Sequence, residues 1–245
     1  MALLEVKHLT KNFGGLMAND HIDLELQEGE IVGLIGPNGA GKTTLFNCIA
    51  GFYPLTSGTV KFKGEDITGL PSNTICFKGI ARTFQIVRVF KDLPVLDNVM
   101  VGAFNRTSSA GQARKKALEV LDFCGLMGKK AKLAGGLTIA DKKRLEVAKA
   151  FATEPRLLML DEAMAGLNQT ETAEAVELVK KIRQAGTTIL LVEHVMEVVM
   201  PISNRVVVLE YGKKIAEGMP DKVIHNEEVI KAYLGDKYHA SRRAH

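Results

Sequence analysis

The residues Gly36-Pro37-Asn38-Gly39-Ala40-Gly41-Lys42-Thr43-Thr44 carry the plainest chemistry in the chain. They fit the pattern G-x-x-x-x-G-K-[ST], a loop whose backbone amides cradle phosphates. Glycines at 36, 39 and 41 let the chain wrap closely around an anion. The freed N–H groups, with the positive end of a following helix, favour negative charge. In such a loop Lys42 reaches the β- and γ-phosphates and the Thr43 hydroxyl ligates Mg²⁺. The motif predicts nucleotide binding; alone it specifies no reaction.

A second group of residues supplies candidate catalytic chemistry. Leu157-Leu158-Met159-Leu160 is an apolar run that ends in Asp161 and Glu162. A buried strand delivers its last side chains to the ligand crevice at its carboxyl end. Asp161 is then placed to hold the Mg²⁺ shell, and Glu162 to polarise an attacking water. The plainer alternative, an acidic turn at a strand end, loses ground because a phosphate loop lies in the same chain. His194 follows another apolar strand, Thr188–Val192, and is expected at the same sheet edge, near the γ-phosphate. Gln85, in Arg82-Thr83-Phe84-Gln85, lies just before a helical stretch. Its amide is suited to reach Mg²⁺ or the water and to report on them to that stretch.

These side chains need a scaffold that presents loops at strand ends. Leu4, Val6 and then Ile22, Leu24, Leu26 recur at period two, which predicts half-exposed antiparallel strands. Ile31–Ile35 is almost wholly apolar, as expected of a parallel strand buried on both faces, and a helix should begin near Lys42. A further strand is predicted around Thr59–Phe62, before a turn-rich segment Gly64–Asn73. From about Phe90 to Pro155 the apolar spacing becomes helical, with a loop over Asn105–Gly111. Beyond Arg156 strands at Leu157–Leu160, Thr188–Val192 and Val206–Leu209 alternate with a helix over about Thr170–Gln184. That alternation implies a mainly parallel sheet in an α/β fold. The reading is one domain over residues 1–245. Residues 1–89 and 156–225 form a nucleotide-binding core with an N-terminal antiparallel β subdomain, 90–155 an inserted helical subdomain, and 226–245 a tail.

Composition narrows the class. The 245 residues are 46% hydrophobic and 24% charged, ordinary for a soluble globular protein, and the apolar runs are too short to span a bilayer. The start MALLEVKHLTKNF carries charge early and offers no small-residue cleavage site, so no signal peptide is expected and the protein is read as cytoplasmic. Cys48, Cys76 and Cys124 are odd in number and lack ligand spacing, which argues against disulfides and zinc. The net charge of +4 concentrates only at Lys237, Arg242 and Arg243, a basic end suited to solvent or to anionic lipid. Nothing resembles a nucleic-acid footprint.

In order, Phe13, the phosphate loop, Gln85, a helical stretch, Asp161–Glu162, Ala165-Gly166-Leu167-Asn168 and His194 resemble the ABC ATPases over nearly the whole chain. The resemblance implies that Phe13 stacks on adenine, that 165–168 lies at a dimer seam, and that His194 is the switch histidine. It also implies two such domains sandwiching two ATP molecules head to tail, each site joining one subunit's phosphate loop to the other's signature segment. Phe13-Gly-Gly-Leu16, Arg82-Thr-Phe-Gln85 with Arg88 and Phe90, and Ala232-Tyr-Leu-Gly235 are further similar to the ATP-binding subunits of bacterial branched-chain amino-acid importers. That branch implies Mg²⁺-ATP hydrolysis beside membrane permease subunits, with a periplasmic solute-binding protein engaged indirectly, and a peripheral place on the inner face of the membrane. Lipid or lipopolysaccharide export, or import of another small solute such as urea, is the alternative.

Counted back from Asp161 with the family spacing, the signature is Leu137-Thr138-Ile139-Ala140-Asp141, where the family usually reads Leu-Ser-Gly-Gly-Gln. Thr138 and Asp141 also have the spacing of a helix start. Leu133-Ala-Gly-Gly-Leu137 is similar by letters but lies four residues early. Ile139 and Ala140 add side chains where backbone approaches phosphate, and Asp141 adds a repelling carboxylate, so a heterodimer with unequal sites is expected. The alternative is that the segment merely caps its helix, small backbone shifts restore the usual contacts, and a homodimer serves as well. Ala163 stands where the family usually has proline. A soluble ABC ATPase acting on nucleic acid would favour fused domains or a basic surface, and a GTPase would need an Asn-Lys-x-Asp segment; neither is present.

Overall fold

The computed structural model of the chain describes residues 2–193 and 195–234. The chain divides into two compact units, one from the N-terminus through Gly69 and again from Leu190, the other Leu70–Ile189.

The first unit opens with two long antiparallel strands, β1 (Ala2–Phe13) and β2 (Leu16–Gln27). Their period-two apolar residues meet across the pair, Leu4 opposite Leu26, Val6 opposite Leu24 and Leu9 opposite Ile22, and all six are buried. β3 (Ile31–Ile35) follows, buried at every residue, and leads through a glycine-rich loop into α1 (Lys42–Ile49). β4 (Ser57–Phe62) then pairs with β1, and the short β5 (Glu65–Asp66) pairs with β4, giving an antiparallel sheet of order β2-β1-β4-β5.

In the second unit α2 (Ser72–Lys78) leads to β6 (Ile80–Arg82). Three helices follow: α3 (Val95–Ala103), α4 (Ala110–Phe123) and α5 (Ile139–Phe151). A Cβ added at Gly102 of α3 would lie 2.1 Å from the carbonyl oxygen of Lys149 in α5, so glycine there lets the two helix backbones touch. β7 (Leu157–Asp161) runs parallel to β6, with Ile80 opposite Leu157 and Arg82 opposite Met159. Burying each of Leu157, Leu158, Met159 and Leu160 contributes about 1.5–3 kcal/mol relative to exposure. α6 (Gln169–Gln184) starts from a capping box, in which Asn168 and Glu171 each accept from the other's backbone N–H. β8 (Thr188–Val192), fully buried, carries the chain from the second unit back to the first.

There α7 (Met196–Ile202) precedes β9 (Arg205–Glu210), which pairs parallel with β3, and β10 (Lys213–Gly218), which pairs antiparallel with β9. α8 (Pro220–Val223) and α9 (Glu227–Leu234) close the described chain. The fold is α/β, with a mixed, mostly parallel strand set and a separate antiparallel sheet, as the hydrophobic periodicity implied. Two loops are shorter than expected. α2 begins at Ser72 after Pro71, and α4 at Ala110 after Ser109, whose hydroxyl accepts from the Gln112 amide. In both cases the residues ending the polar stretch start a helix. α2 and the three-residue β6 are too short for periodicity to reveal.

Candidate nucleotide-binding site

In the first unit the loop Gly36–Gly41 connects the end of β3 to the N-terminus of α1. Gly36 has φ 147, and a Cβ there would lie 2.1 Å from the Leu209 carbonyl oxygen, so the loop lies tightly on β9. Lys42 is 5% exposed. Its Nζ donates to the carbonyl oxygens of Gly36 (2.6 Å) and Pro37 (2.9 Å), which curls the cation into the loop. Asn38, Gly39 and Thr43 are exposed and Thr44 is half-buried, while Ala40 packs inward. The back of the loop is tied to β2 and to the β9–β10 turn. Asn19 Nδ2 donates to Gly41 O (3.2 Å), Gly212 N to Ala40 O (3.1 Å), and Asp20 N to Gly212 O (2.8 Å). Phe13, at the end of β1, is 42% exposed and meets Tyr53 edge-on at 5.3 Å, with Lys11 Nζ 4.7 Å from its ring centroid.

In the second unit the carboxylates sit at the end of β7. Asp161 is 1% exposed and its backbone N–H donates to Thr83 Oγ1 (3.1 Å). Arg82 Nη2 lies 3.1 Å from Asp161 Oδ2. Gln85 Nε2 donates to Glu162 Oε2 (3.1 Å), so the amide and the candidate base are already in contact. Lys143 of α5 donates to the Glu162 carbonyl (2.8 Å). Glu162 itself has φ 50, a left-handed conformation unusual for a side-chain-bearing residue and often found at working sites.

The segment Leu137–Asp141 begins α5. Thr138 is its N-cap, accepting from the Asp141 amide (3.2 Å), as its spacing suggested. Leu137 is buried, Ala140 is half-buried and Ile139 is 65% exposed. Asp141 is 8% exposed, and both of its oxygens lie 2.6 Å from Lys129 Nζ. Its charge is therefore met within the chain, which offsets the repulsion expected of it. The letter-alike stretch forms a 3-10 turn over Ala134–Gly136. His194 lies outside the described residues.

Four contributors were not singled out from sequence. Asn19 is fully buried in β2, and a polar residue inside an otherwise apolar strand face was its only signal. Arg82 stood within the quoted Gln85 motif without a role. Lys143 and Glu146 lie among the charged residues of α5, beside Lys142 and Arg144, with nothing in their spacing to single them out. Glu146 is 3% exposed; burial raises its carboxyl above the usual range, partly offset by the Arg88 backbone N–H. Burial likewise lowers Lys149, partly offset by attraction to Glu146.

Mg²⁺ takes oxygen donors; the second unit offers the amide of Gln85 and the carboxylate of Asp161, and the first unit the hydroxyl of Thr43. Thr43 is exposed at the start of α1, whose N-terminus favours an anion such as phosphate. On donor chemistry these residues fit the ion.

Residues 19–165 match the ABC transporter family, and residues 213–239 match the branched-chain amino acid ATP-binding cassette transporter family. The high-affinity branched-chain amino acid transport ATP-binding protein LivG of Escherichia coli (strain K12) is 44% identical, covering 96% of this chain and 98% of that protein. BraF of Pseudomonas aeruginosa, with the same description, is 42% identical over the same shares. The lipopolysaccharide export system ATP-binding protein LptB of Escherichia coli (strain K12) is 30% identical, covering 97% and 99%. Among solved structures, a nucleotide-free ATP-binding cassette from an ABC transporter superposes with a TM-score of 0.88 at 29% identity, covering 96% of this chain and 100% of that one.

Proposed function

The chain belongs to the ABC transporter family of ATP-binding subunits, and we propose that it hydrolyses Mg²⁺-ATP to power import of branched-chain amino acids. The observation carrying the hydrolytic part is the Gln85–Glu162 hydrogen bond at the end of β7, beside buried Asp161. Glu162 takes the proton of the attacking water, and Gln85 orients the carboxylate and the water it faces. Amides of Gly39, Gly41, Lys42, Thr43 and Thr44, with the α1 N-terminus, bind the phosphates, and Lys42 exchanges its two carbonyl partners for phosphate oxygens. Gly36, Pro37, Asn38 and Ala40 shape that loop, Phe13 stacks on adenine, and His194 meets the γ-phosphate. Thr43, Gln85 and Asp161 would hold Mg²⁺, which would supply charge neutralisation on the phosphates.

The working assembly is a head-to-tail pair of ATPase subunits on membrane permeases at the cytoplasmic face, served indirectly by a solute-binding protein. Among the described residues no helix is long and apolar enough to cross a membrane, which is consistent with separate permease chains. Phe90 and Leu93 are exposed and are the contact offered to the permease, whereas Val95 and Leu96, also expected there, are buried in the helical core. Uptake of labelled leucine, isoleucine and valine by cells whose only copy carries Glu162→Gln tests the proposal. Transport equal to the parent's refutes it, and loss of lipopolysaccharide export in its place would favour the function that LptB is named for.

A further inference from the structure

Glu146 and Lys149 are three residues apart on α5, and both are turned toward the loop that contains Gln85. Glu146 Oε1 accepts the Arg88 backbone N–H (3.1 Å), and the carboxylate also accepts that of Phe84. Lys149 Nζ donates to the Arg88 carbonyl and stands 5.3 Å from the Phe90 ring centroid. The loop is thus held by its backbone on both sides of Gln85's immediate neighbours. A second anchor follows: Asn98 of α3, fully buried, accepts from Phe90 N (2.8 Å) and donates to Phe90 O (3.0 Å). α3 and α5 are themselves in backbone contact at Gly102 and Lys149. Gln85, at the near end of this clamped stretch, bonds Glu162.

We propose that Glu146 and Lys149 are positioning residues that carry any displacement of α5 to Gln85, and so couple one nucleotide site to the other. The coupling rests on the reading above, in which Leu137–Asp141 faces the nucleotide bound by the second subunit while Gln85 serves this chain's own. One uninterrupted helix joins the two ends. From the Thr138 cap to Glu146 is about 12 Å at 1.5 Å per residue, short enough for a helix to move as a rod. Backbone bonds, not side-chain packing alone, link the rod to the loop. Loss of the Glu146 acceptor frees the Arg88 and Phe84 amides at a partly buried place and unties the loop from α5.

The test uses the full chain with Mg²⁺-ATP. Glu146→Ala should lower kcat about tenfold or more while the affinity for a fluorescent ATP analogue changes less than about twofold, because misplacing a positioned group penalises the reaction and not the binding. Amide exchange of the peptide covering 84–90 should accelerate, and that of α4 should not. Glu146→Gln keeps an acceptor for Arg88 and should stay within about threefold of the parent. Lys149→Met keeps the apolar stem and should accelerate exchange over 84–90 to a lesser extent, which serves if the alanine variant does not fold. Unchanged exchange over 84–90 in the alanine variant, or in Lys149→Met where the alanine variant fails to fold, overturns the proposal. So does equal loss in the glutamine and alanine variants. Absence of turnover in the parent would defeat the ATPase reading, and the exchange data would still decide the clamp.

Discussion

Arg82 and Asp161 form an ion pair in which the two side chains are 8% and 1% exposed, with Nη2 and Oδ2 3.1 Å apart. A carboxylate so placed depends on its partner, because a buried charge stripped of compensation is strongly destabilising. Arg82→Ala is therefore expected to cost about 3–5 kcal/mol of stability, read as a lowered Tm. Mg²⁺ with nucleotide should recover more Tm in this variant than in the parent, since it brings positive charge to Asp161. A variant as stable as the parent would show that the pair is dispensable.

Glu162→Gln preserves size and the contact with Gln85 but removes the proton acceptor. Turnover should fall by a factor on the order of 10² or more, with nucleotide still bound. Size-exclusion chromatography with Mg²⁺-ATP should show a dimer accumulating. Undiminished phosphate release would end the assignment of Glu162 as base.

Lys42→Ala removes the cation that reaches into the phosphate loop. Charge-assisted bonds to phosphate contribute about 1.5–3 kcal/mol each, so affinity for a labelled ATP analogue should weaken by at least about tenfold. Titration by fluorescence anisotropy gives the value. An unchanged Kd would mean that the loop amides suffice.

The three thiols should differ in reactivity. Burial pushes Cys48 up to about 11 and Cys124 up to about 12, and both are nearly inaccessible. Cys76 is also raised by burial, with Arg106 opposing, yet it is only half-buried. A raised pKa leaves little thiolate near neutrality, and that fraction grows as pH rises toward it. Maleimide at pH 8 should label Cys76 first and the other two only after denaturation. Mass spectrometry of peptides from native protein checks the order.

Ile139, 65% exposed, is the residue of the expected signature segment least suited to a phosphate. In an assembly with a different second ATPase, Glu162→Gln here should reduce hydrolysis more than the matching change in the partner subunit. Equal losses, or a fully active homodimer of this chain alone, would refute unequal sites. Because Lys129 meets the charge of Asp141, Asp141→Asn should change nucleotide affinity little, whereas Ile139→Gly should raise it.

Much of this was legible in the residues. The phosphate loop, the strand ending in Asp161–Glu162 and the Thr138 cap each combine a motif with a hydrophobic pattern, and local chemistry fixes their place. β3 and β8 were readable because four of five residues in each are large and apolar, which leaves a short element little choice but burial. The Asp141–Lys129 pair was not legible, since twelve residues and two turns separate them and a charge alone does not reveal its partner. Nor was the Glu146 clamp. A glutamate among Lys142, Lys143 and Arg144 has the look of a solvent-facing helix, and only the packed loop turns it inward. Asn19 escaped for a similar reason: its bond to Gly41 joins residues whose proximity depends on how β2 passes the loop.

The left-handed backbone at Glu162 has a consequence for how this position changes over generations. Holding a glutamate at φ 50 costs about 1 kcal/mol or more, whereas glycine and, to a lesser degree, asparagine accept that geometry readily. A library selected only for heat resistance should accordingly drift toward glycine or asparagine at 162 and yield hardier, inert proteins. With Glu162 as the proposed base, glutamate should persist there only under selection for turnover, so the identity of residue 162 in any descendant of this chain would report which of the two pressures it has been under.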